Sequence, residues 1–206
     1  MEEDLTPDNC PEDYATIAAA CARMAEARTR GELGTVIAQE VMGYSIYDLQ
    51  LIGGRLKRET DRLPSPYREA VRPYFTEQIF GMHHTLLTMH REGAFRRINE
   101  PLKDTGTFRE FCRMVPGGCF CWDAHETNPD LRSPRLRFFY YLISGFAMFV
   151  LDRPGHPVGM PFPGGMTVES RNTGTFCPIR EKERDVTYSI CNFCPARQSD
   201  SPGISP

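Results

Sequence analysis

The chain has 206 residues and is 40% hydrophobic, so it can form one sizeable core and at most a small additional module. Its formal net charge of −3 provides no electrostatic basis for binding nucleic acid or an acidic membrane surface. The acidic start, Met1–Leu5, lacks the apolar segment of a secretory signal, and the longest apolar run, Phe138–Leu151, is shorter than the ~20 residues of a membrane span. We therefore expect a cytoplasmic protein without a membrane anchor, whose eight cysteines are reduced thiols or metal ligands and not disulfides.

Apolar periodicity predicts a first helix with Pro11 in its opening turn. Cys21 falls on the apolar face of this helix, where a lone cysteine is usually a small buried side chain. We accordingly predict that Cys10 and Cys21 are not metal ligands.

Two capping boxes predict the starts of the next helices. Thr29 with Glu32, and Ser45 with Asp48, each place a hydroxyl three residues before an acidic side chain and ahead of an apolar periodic run. The second of these helices contains Gly53–Gly54, which weakens its middle.

A further helical stretch begins at Ser65–Pro66, and we expect Pro73 to interrupt it before a stronger helix over 74–90. His83 and His90 lie two turns apart on that helix and could in principle present two imidazoles to a metal. Helical di-metal sites use Glu-x-x-His sets on several helices, which this chain lacks, so we favour histidines that pack at an interface or face solvent.

A short helix is predicted to begin at the capping pair Thr107 and Glu110 and to stop at 116–118, the sequence Pro-Gly-Gly. The pair Cys119 and Cys121 follows directly, so we expect it on a glycine-led turn. The two thiols are either metal ligands or small hydrophobes packed beside their aromatic neighbours.

The most hydrophobic helix is predicted over Leu136–Leu151, with aromatic residues on all sides, as expected of an element that other helices surround. A loop rich in proline and glycine follows over 154–165. It leads into an alternating strand, Met166–Ser170, and not into a helix, which argues against a phosphate-binding loop. A turn at 172–174 completes a small β-hairpin that ends at Cys177.

Three cysteines near the C-terminus form the clearest candidate site. Cys191 and Cys194 have the C-x-x-C spacing with which one tight turn directs two thiolates at one metal, and Cys177 lies upstream. Proline follows Cys177 and Cys194, as in some ferredoxin ligand motifs, so a [4Fe–4S] cluster is favoured over the alternative, Zn²⁺. Cys119 or Cys121 is predicted to supply the fourth thiolate.

His156, in the proline- and glycine-rich loop, is a candidate to hydrogen-bond a metal ligand or to fill an open coordination position. A purely structural role for this histidine is the favoured alternative. We expect the loop to pack over the cysteine site, because it connects the central helix to the hairpin that carries Cys177.

Together these features predict a mainly α protein, with a helical bundle-like single core and a small C-terminal β-hairpin and cysteine knuckle. We expect a helical body over 1–153. Packed on it, over 154–198, we expect a module made of the loop, the hairpin and the cysteine-rich segment. The composition of 199–206 predicts a disordered tail.

The motifs of the C-terminal third resemble a family of uncharacterised archaeal proteins, mainly from methane-producing lineages. The resemblance rests on Pro154–Gly165, Phe176–Ile179 and Cys191–Gln198, and Cys119–Cys121 and the aromatic helix are compatible with it. It implies an anaerobic cytoplasm and a cysteine site, and it supplies no reaction.

Three functions are compatible with these observations. The favoured one is an accessory protein whose helical body docks on an unidentified protein partner and whose metal centre stiffens the C-terminal module or carries an electron. The second is an enzyme that acts on a small substrate at the cysteine site and adjoining loop, although no nucleophile motif or paired acids accompany it. The third, a zinc-knuckle nucleic-acid-binding protein, is disfavoured by the acidic charge balance.

Overall fold

The computed structural model describes residues 10–121 and 133–199, and their fold is mainly helical, as the sequence predicts. The helices are α1 (Pro11–Ala25), α2 (Arg30–Met42), α3 (Ile46–Asp61), α4 (Tyr67–Thr76), α5 (Met82–Arg91), α6 (Thr105–Cys119) and α7 (Pro134–Gly145). Two segments of π-helix extend them: Glu77–Gly81 joins α4 to α5, and Phe146–Val150 continues α7. Short 3₁₀ turns occupy Ala94–Arg97 and Ile190–Phe193.

The predicted capping boxes are present at α2 and α3. The Thr29 hydroxyl accepts a hydrogen bond from the Glu32 amide at 3.1 Å, and the Ser45 hydroxyl accepts one from the Asp48 amide at 3.2 Å. Each acidic side chain in turn accepts from the backbone amide of its cap residue. These reciprocal bonds satisfy amides that have no partner inside the helix, and they fix where both helices begin.

Two prolines that we expected to end helices lie inside them. Pro73 is within α4, and Pro116 is within α6, which continues through both following glycines to Cys119. The predicted start of α6 is also shifted, because the cap is Asp104, whose carboxylate accepts from the Thr107 amide at 2.9 Å. A proline removes one backbone hydrogen bond, and the burial of Pro116 in the core offsets that loss.

Helix α7 forms the centre of the core. It contacts α1, α2, α3 and α6, and six of its large side chains are almost completely buried: Leu136, Phe138, Phe139, Tyr141, Leu142 and Ile143. Aromatic pairs connect its continuation to the rest of the molecule, for example Phe149 with Phe108 at 4.9 Å between ring centroids. None of the helices in the described ranges is long and apolar enough to cross a membrane.

The predicted hairpin is present and belongs to a three-stranded sheet. Strands β1 (Glu169–Arg171) and β2 (Gly174–Cys177) pair antiparallel, and β3 (Arg197–Gln198) pairs parallel to β2. The third strand follows the second cysteine motif directly, so the sheet brings the two ends of the cysteine-rich segment side by side.

The proline- and glycine-rich loop folds back on itself and is held against the helical body. The Gly159 amide donates to the Val168 carbonyl at 2.7 Å, and Gly159 itself has a φ of +86°, which favours glycine. The Gln78 side chain donates to the Gly155 carbonyl at 2.7 Å, and the Tyr67 hydroxyl donates to the Pro161 carbonyl at 3.3 Å. These bonds fix the position of His156 at the start of the loop.

Candidate metal centre

Cys177 lies at the end of β2, where backbone amides surround its thiol. Burial raises the pKa of the thiol, and the nearby backbone amides of Ile179 and Arg180 act in the opposite direction. Cys177 is paired with Gln198 across β2 and β3, and its carbonyl accepts from the Ser199 amide at 3.2 Å. The pairing with β3 therefore holds the backbone of this cysteine in place.

Cys191 and Cys194 lie on a single 3₁₀ turn that begins after Ser189. The Ser189 hydroxyl accepts from the Cys191 amide at 3.2 Å, and the Cys194 amide donates to the Cys191 carbonyl at 3.3 Å. Burial raises the pKa of the Cys191 thiol to about 12, and the neighbouring Ser189 side chain acts to lower it. Tyr188, with a φ of +66°, turns the chain into this segment.

The start of the proline- and glycine-rich loop contacts two of these cysteines. The Gly155 amide donates to the Cys194 sulfur at 3.2 Å, and the His156 Nδ1 atom lies 3.9 Å from the Cys177 sulfur. The His156 ring packs edge-on against Phe162, and burial lowers the pKa of the imidazole to about 4. The ring is therefore neutral at physiological pH, which is the form that binds metals.

The three thiols are close enough for their charges to interact. A negative charge at Cys194 raises the pKa of Cys177 and of Cys191, and one at Cys177 raises the pKa of Cys191. All three side chains are at least nine-tenths buried. Three thiolates together are thus unfavourable without a compensating positive charge.

As the side chains stand, no set of three or more His, Cys, Asp or Glu residues within the described ranges is arranged to hold a metal ion. All cysteines in those ranges have free thiols. The candidate site consists of Cys177, Cys191, Cys194 and His156. Within it, the side chains of His156 and Cys177 are in contact.

The two candidates for the fourth thiolate lie at the C-terminal end of α6. Cys119 is the last residue of α6, not part of a glycine-led turn, and it is fully buried. A negative charge at Cys119 or at Cys112 raises the pKa of Cys21 in α1. These three thiols therefore share the interface between α1 and α6. Cys121 follows the helix and is exposed to solvent.

The two histidines of the 74–90 segment, His83 and His90, each lie beside a phenylalanine ring. The His83 ring lies 5.6 Å from Phe139, and the His90 ring lies 6.4 Å from Phe95, measured between ring centroids. Both contacts agree with the interface role that the sequence favours.

Sequence reasoning did not single out Arg137, which lines a cavity beside His156. The available signal was an arginine inside a helix that is otherwise apolar and aromatic. Such a charge is costly to bury without a partner or a function.

Comparison with known proteins places the chain among archaeal sequences. The profile of the family DUF2115, described as an uncharacterized protein conserved in archaea, matches residues 29–199. A UPF0305 protein of Methanopyrus kandleri is 28% identical over 66% of this chain and 86% of its own length. A UPF0305 protein of Methanocaldococcus jannaschii is 22% identical over 82% and 96%, respectively. One from Methanothermobacter thermautotrophicus is 40% identical over 28% and 37%. No solved structure matches the chain.

Proposed function

Because the chain belongs to the archaeal family DUF2115, whose relatives come from methanogens, we propose that it is an accessory protein stabilised by one metal ion in its C-terminal module. The proposed ligands are Cys177, Cys191, Cys194 and His156, and the proposed metal is zinc. The metal fastens the loop, the sheet and the C-x-x-C turn to one another.

The observation that carries this proposal is that polar groups held in place by the fold lie beside each of the three thiols. The Gly155 amide donates to the Cys194 sulfur at 3.2 Å. The amides of Ile179 and Arg180 lower the pKa of Cys177, and the Ser189 side chain lowers that of Cys191, although burial raises both. Hydrogen bonds to a charged form favour that form, so these donors suit thiolates better than thiols. Three buried thiolates that repel one another are stable only with a cation between them.

The contact between His156 and Cys177 supports a single ion over a cluster. Zn–S and Zn–N bonds of about 2.3 and 2.1 Å at a tetrahedral angle place a sulfur and a nitrogen ligand about 3.6 Å apart. The observed separation is 3.9 Å. The ligands of a [4Fe–4S] cluster bind different irons and lie further apart.

A structural role follows from the number of ligands. Structural zinc sites have four protein ligands, whereas catalytic ones keep a position open for water or substrate. Three cysteines and a histidine complete the coordination of zinc. The helical body is then available to bind a protein partner, the role that the sequence favours.

The test is the metal content of protein purified without oxygen. We expect one zinc per chain in the unmodified protein and loss of most of it in the double variant Cys191→Ser, Cys194→Ser. His156→Ala should weaken zinc binding, and His156→Cys should retain it, because a fourth thiolate replaces the imidazole. Cys10→Ser is the control and should leave the zinc unchanged.

The other outcomes are also informative. If the purified protein contains iron with equimolar sulfide, the bound group is a [4Fe–4S] cluster and not zinc. Cys119 or Cys121 would then be required as a ligand. Protein that contains neither zinc nor iron with sulfide would overturn the metal-binding function.

A further inference from the structure

A cavity of 460 Å³ lies between α3, the helical stretch from α4 to α5, α7 and the start of the proline- and glycine-rich loop. This volume is within the range of about 300–1,000 Å³ that is typical of small-molecule sites. Most of its wall is apolar, formed by Ile52, Leu56, Leu63, Phe75, Ile79 and Leu136. Such a wall favours the part of a ligand that avoids water.

The charged groups of the cavity leave one positive charge without a counterion. Arg55 pairs with Glu59 at 2.8 Å, and Arg137 is the second arginine of the lining, to which the described ranges contribute no other acidic side chain. Of the other polar groups, the Thr60 hydroxyl donates to a backbone carbonyl at 2.7 Å, and the Gln78 amide donates to another at 2.7 Å. A ligand with a single negative charge would balance the cavity.

Arg137 is held in position but retains an unused donor. Its guanidinium lies near the Tyr141 hydroxyl and acts to lower the pKa of that group, and the hydroxyl donates to the Tyr188 carbonyl at 2.9 Å. The Nε atom of Arg137 is buried and has no hydrogen-bond partner within the part of the chain that the structure describes. A buried donor without a partner is rare in folded proteins and is stabilised when a ligand supplies the missing acceptor.

We propose that this cavity binds an amphipathic monocarboxylate, with its carboxylate on Arg137 and its apolar chain along the wall. The planar guanidinium presents Nε–H and a neighbouring N–H in the geometry that matches two carboxylate oxygens. A phosphate monoester carries about two negative charges at neutral pH, which exceeds the single positive charge of the site. The proposal does not require the metal, because Arg137 and the apolar wall lie outside the proposed metal site, although His156 belongs to that site and also lines the cavity.

The test compares octanoate with octanamide, which has the same apolar chain and no charge. Isothermal titration calorimetry on the full-length protein should show octanoate binding at least about tenfold more tightly than octanamide, as expected for a charge-assisted hydrogen bond. Arg137→Gln should weaken octanoate binding at least about tenfold and remove most of the difference between the two probes.

Two further variants complete the design. Arg135→Gln removes a positive charge two residues away, on a side chain that stacks on Tyr44 and does not line the cavity, and it should leave octanoate affinity within about twofold. Leu56→Trp fills the cavity from a half-buried position without changing Arg137, and it should weaken both probes.

Equal binding of octanoate and octanamide, absence of octanoate binding, or an Arg137→Gln variant that binds like the unmodified protein would each overturn the proposal. Circular dichroism establishes that each variant is folded. If Arg137→Gln fails to fold, the comparison of the two probes and the Leu56→Trp variant still decide the outcome.

Discussion

At the end of α6, Gly118 leaves the space that the Tyr141 hydroxyl occupies. A Cβ atom at this position would lie 2.4 Å from that oxygen and 2.8 Å from the ring carbon that carries it. Tyr141 is almost completely buried, and its hydroxyl donates to the Tyr188 carbonyl next to the cysteine turn. The ring therefore cannot move away without breaking this hydrogen bond.

We predict that Gly118→Ala lowers the free energy of unfolding by about 1–3 kcal/mol, because overpacking outweighs the gain in helix propensity. Urea denaturation measures the change. Gly54→Ala is the matched control, since a Cβ at Gly54, inside α3, would meet no described atom within 4 Å apart from the adjoining residues and the backbone of its own helix. It should stabilise the protein by about 0.5–1 kcal/mol. Equal effects of the two substitutions would contradict the packing argument.

At the scale of elements, the start of α2 depends on the charge of Glu32. Its carboxylate accepts from the backbone amides of Arg28, at 2.8 Å, and Thr29, and these bonds hold the pKa of Glu32 below its usual value. Because the folded-state pKa is the lower one, the contribution to stability is present above the unfolded-state pKa of about 4.3 and is lost as the pH falls through the folded value.

We predict that Glu32→Gln makes α2 less sensitive to acid. The amide side chain can still accept a hydrogen bond but does not titrate, so the urea midpoint of the variant should fall less than that of the unmodified protein between neutral pH and about pH 3. At neutral pH we expect the variant to be slightly less stable than the unmodified protein, because a neutral amide accepts a weaker hydrogen bond than a carboxylate does. Parallel pH profiles of the two proteins would exclude this role for the carboxylate.

Local chemistry explains which elements the sequence predicts well. The capping boxes of α2 and α3 and the turn of the hairpin are determined by residues a few positions apart, and all three are present. Pro116 was wrongly predicted to end α6, because the packing of its ring in the core depends on distant residues. The short strand β3 has no local pattern of its own and forms only beside β2.

At the scale of the whole molecule, the proposed metal joins three segments of the C-terminal module. Binding free energy is folding free energy where the site does not exist in the unfolded chain. We predict that removal of the metal with a strong chelator, without oxygen, increases amide hydrogen exchange first in residues 154–199. The buried helices α2 and α7 should keep their protection. Equal loss of protection in all elements, or no change, would contradict this prediction.

In the candidate site, as in the helices and strands, local features are predictable from the sequence and contacts between distant residues are not. The spacing of Cys191 and Cys194 predicts their common turn, because a C-x-x-C segment is local. The position of His156 beside Cys177, and that of Cys119 in the interface between α1 and α6, depend on contacts between distant parts of the chain. Sequence reasoning named all the residues of the proposed metal site, but it assigned the fourth ligand position to Cys119 or Cys121 and gave His156 a supporting or open-position role.

The pairing of β3 with β2 would affect how easily the proposed metal binds. These strands join Phe176 to Arg197 and Cys177 to Gln198, so backbone hydrogen bonds close the segment that contains both cysteine motifs. Closing a flexible loop costs conformational entropy. Here the formation of the sheet already includes that cost before any thiol binds a metal. The thiols consequently meet an incoming ion at a high effective concentration, and a larger share of the coordination energy remains as affinity.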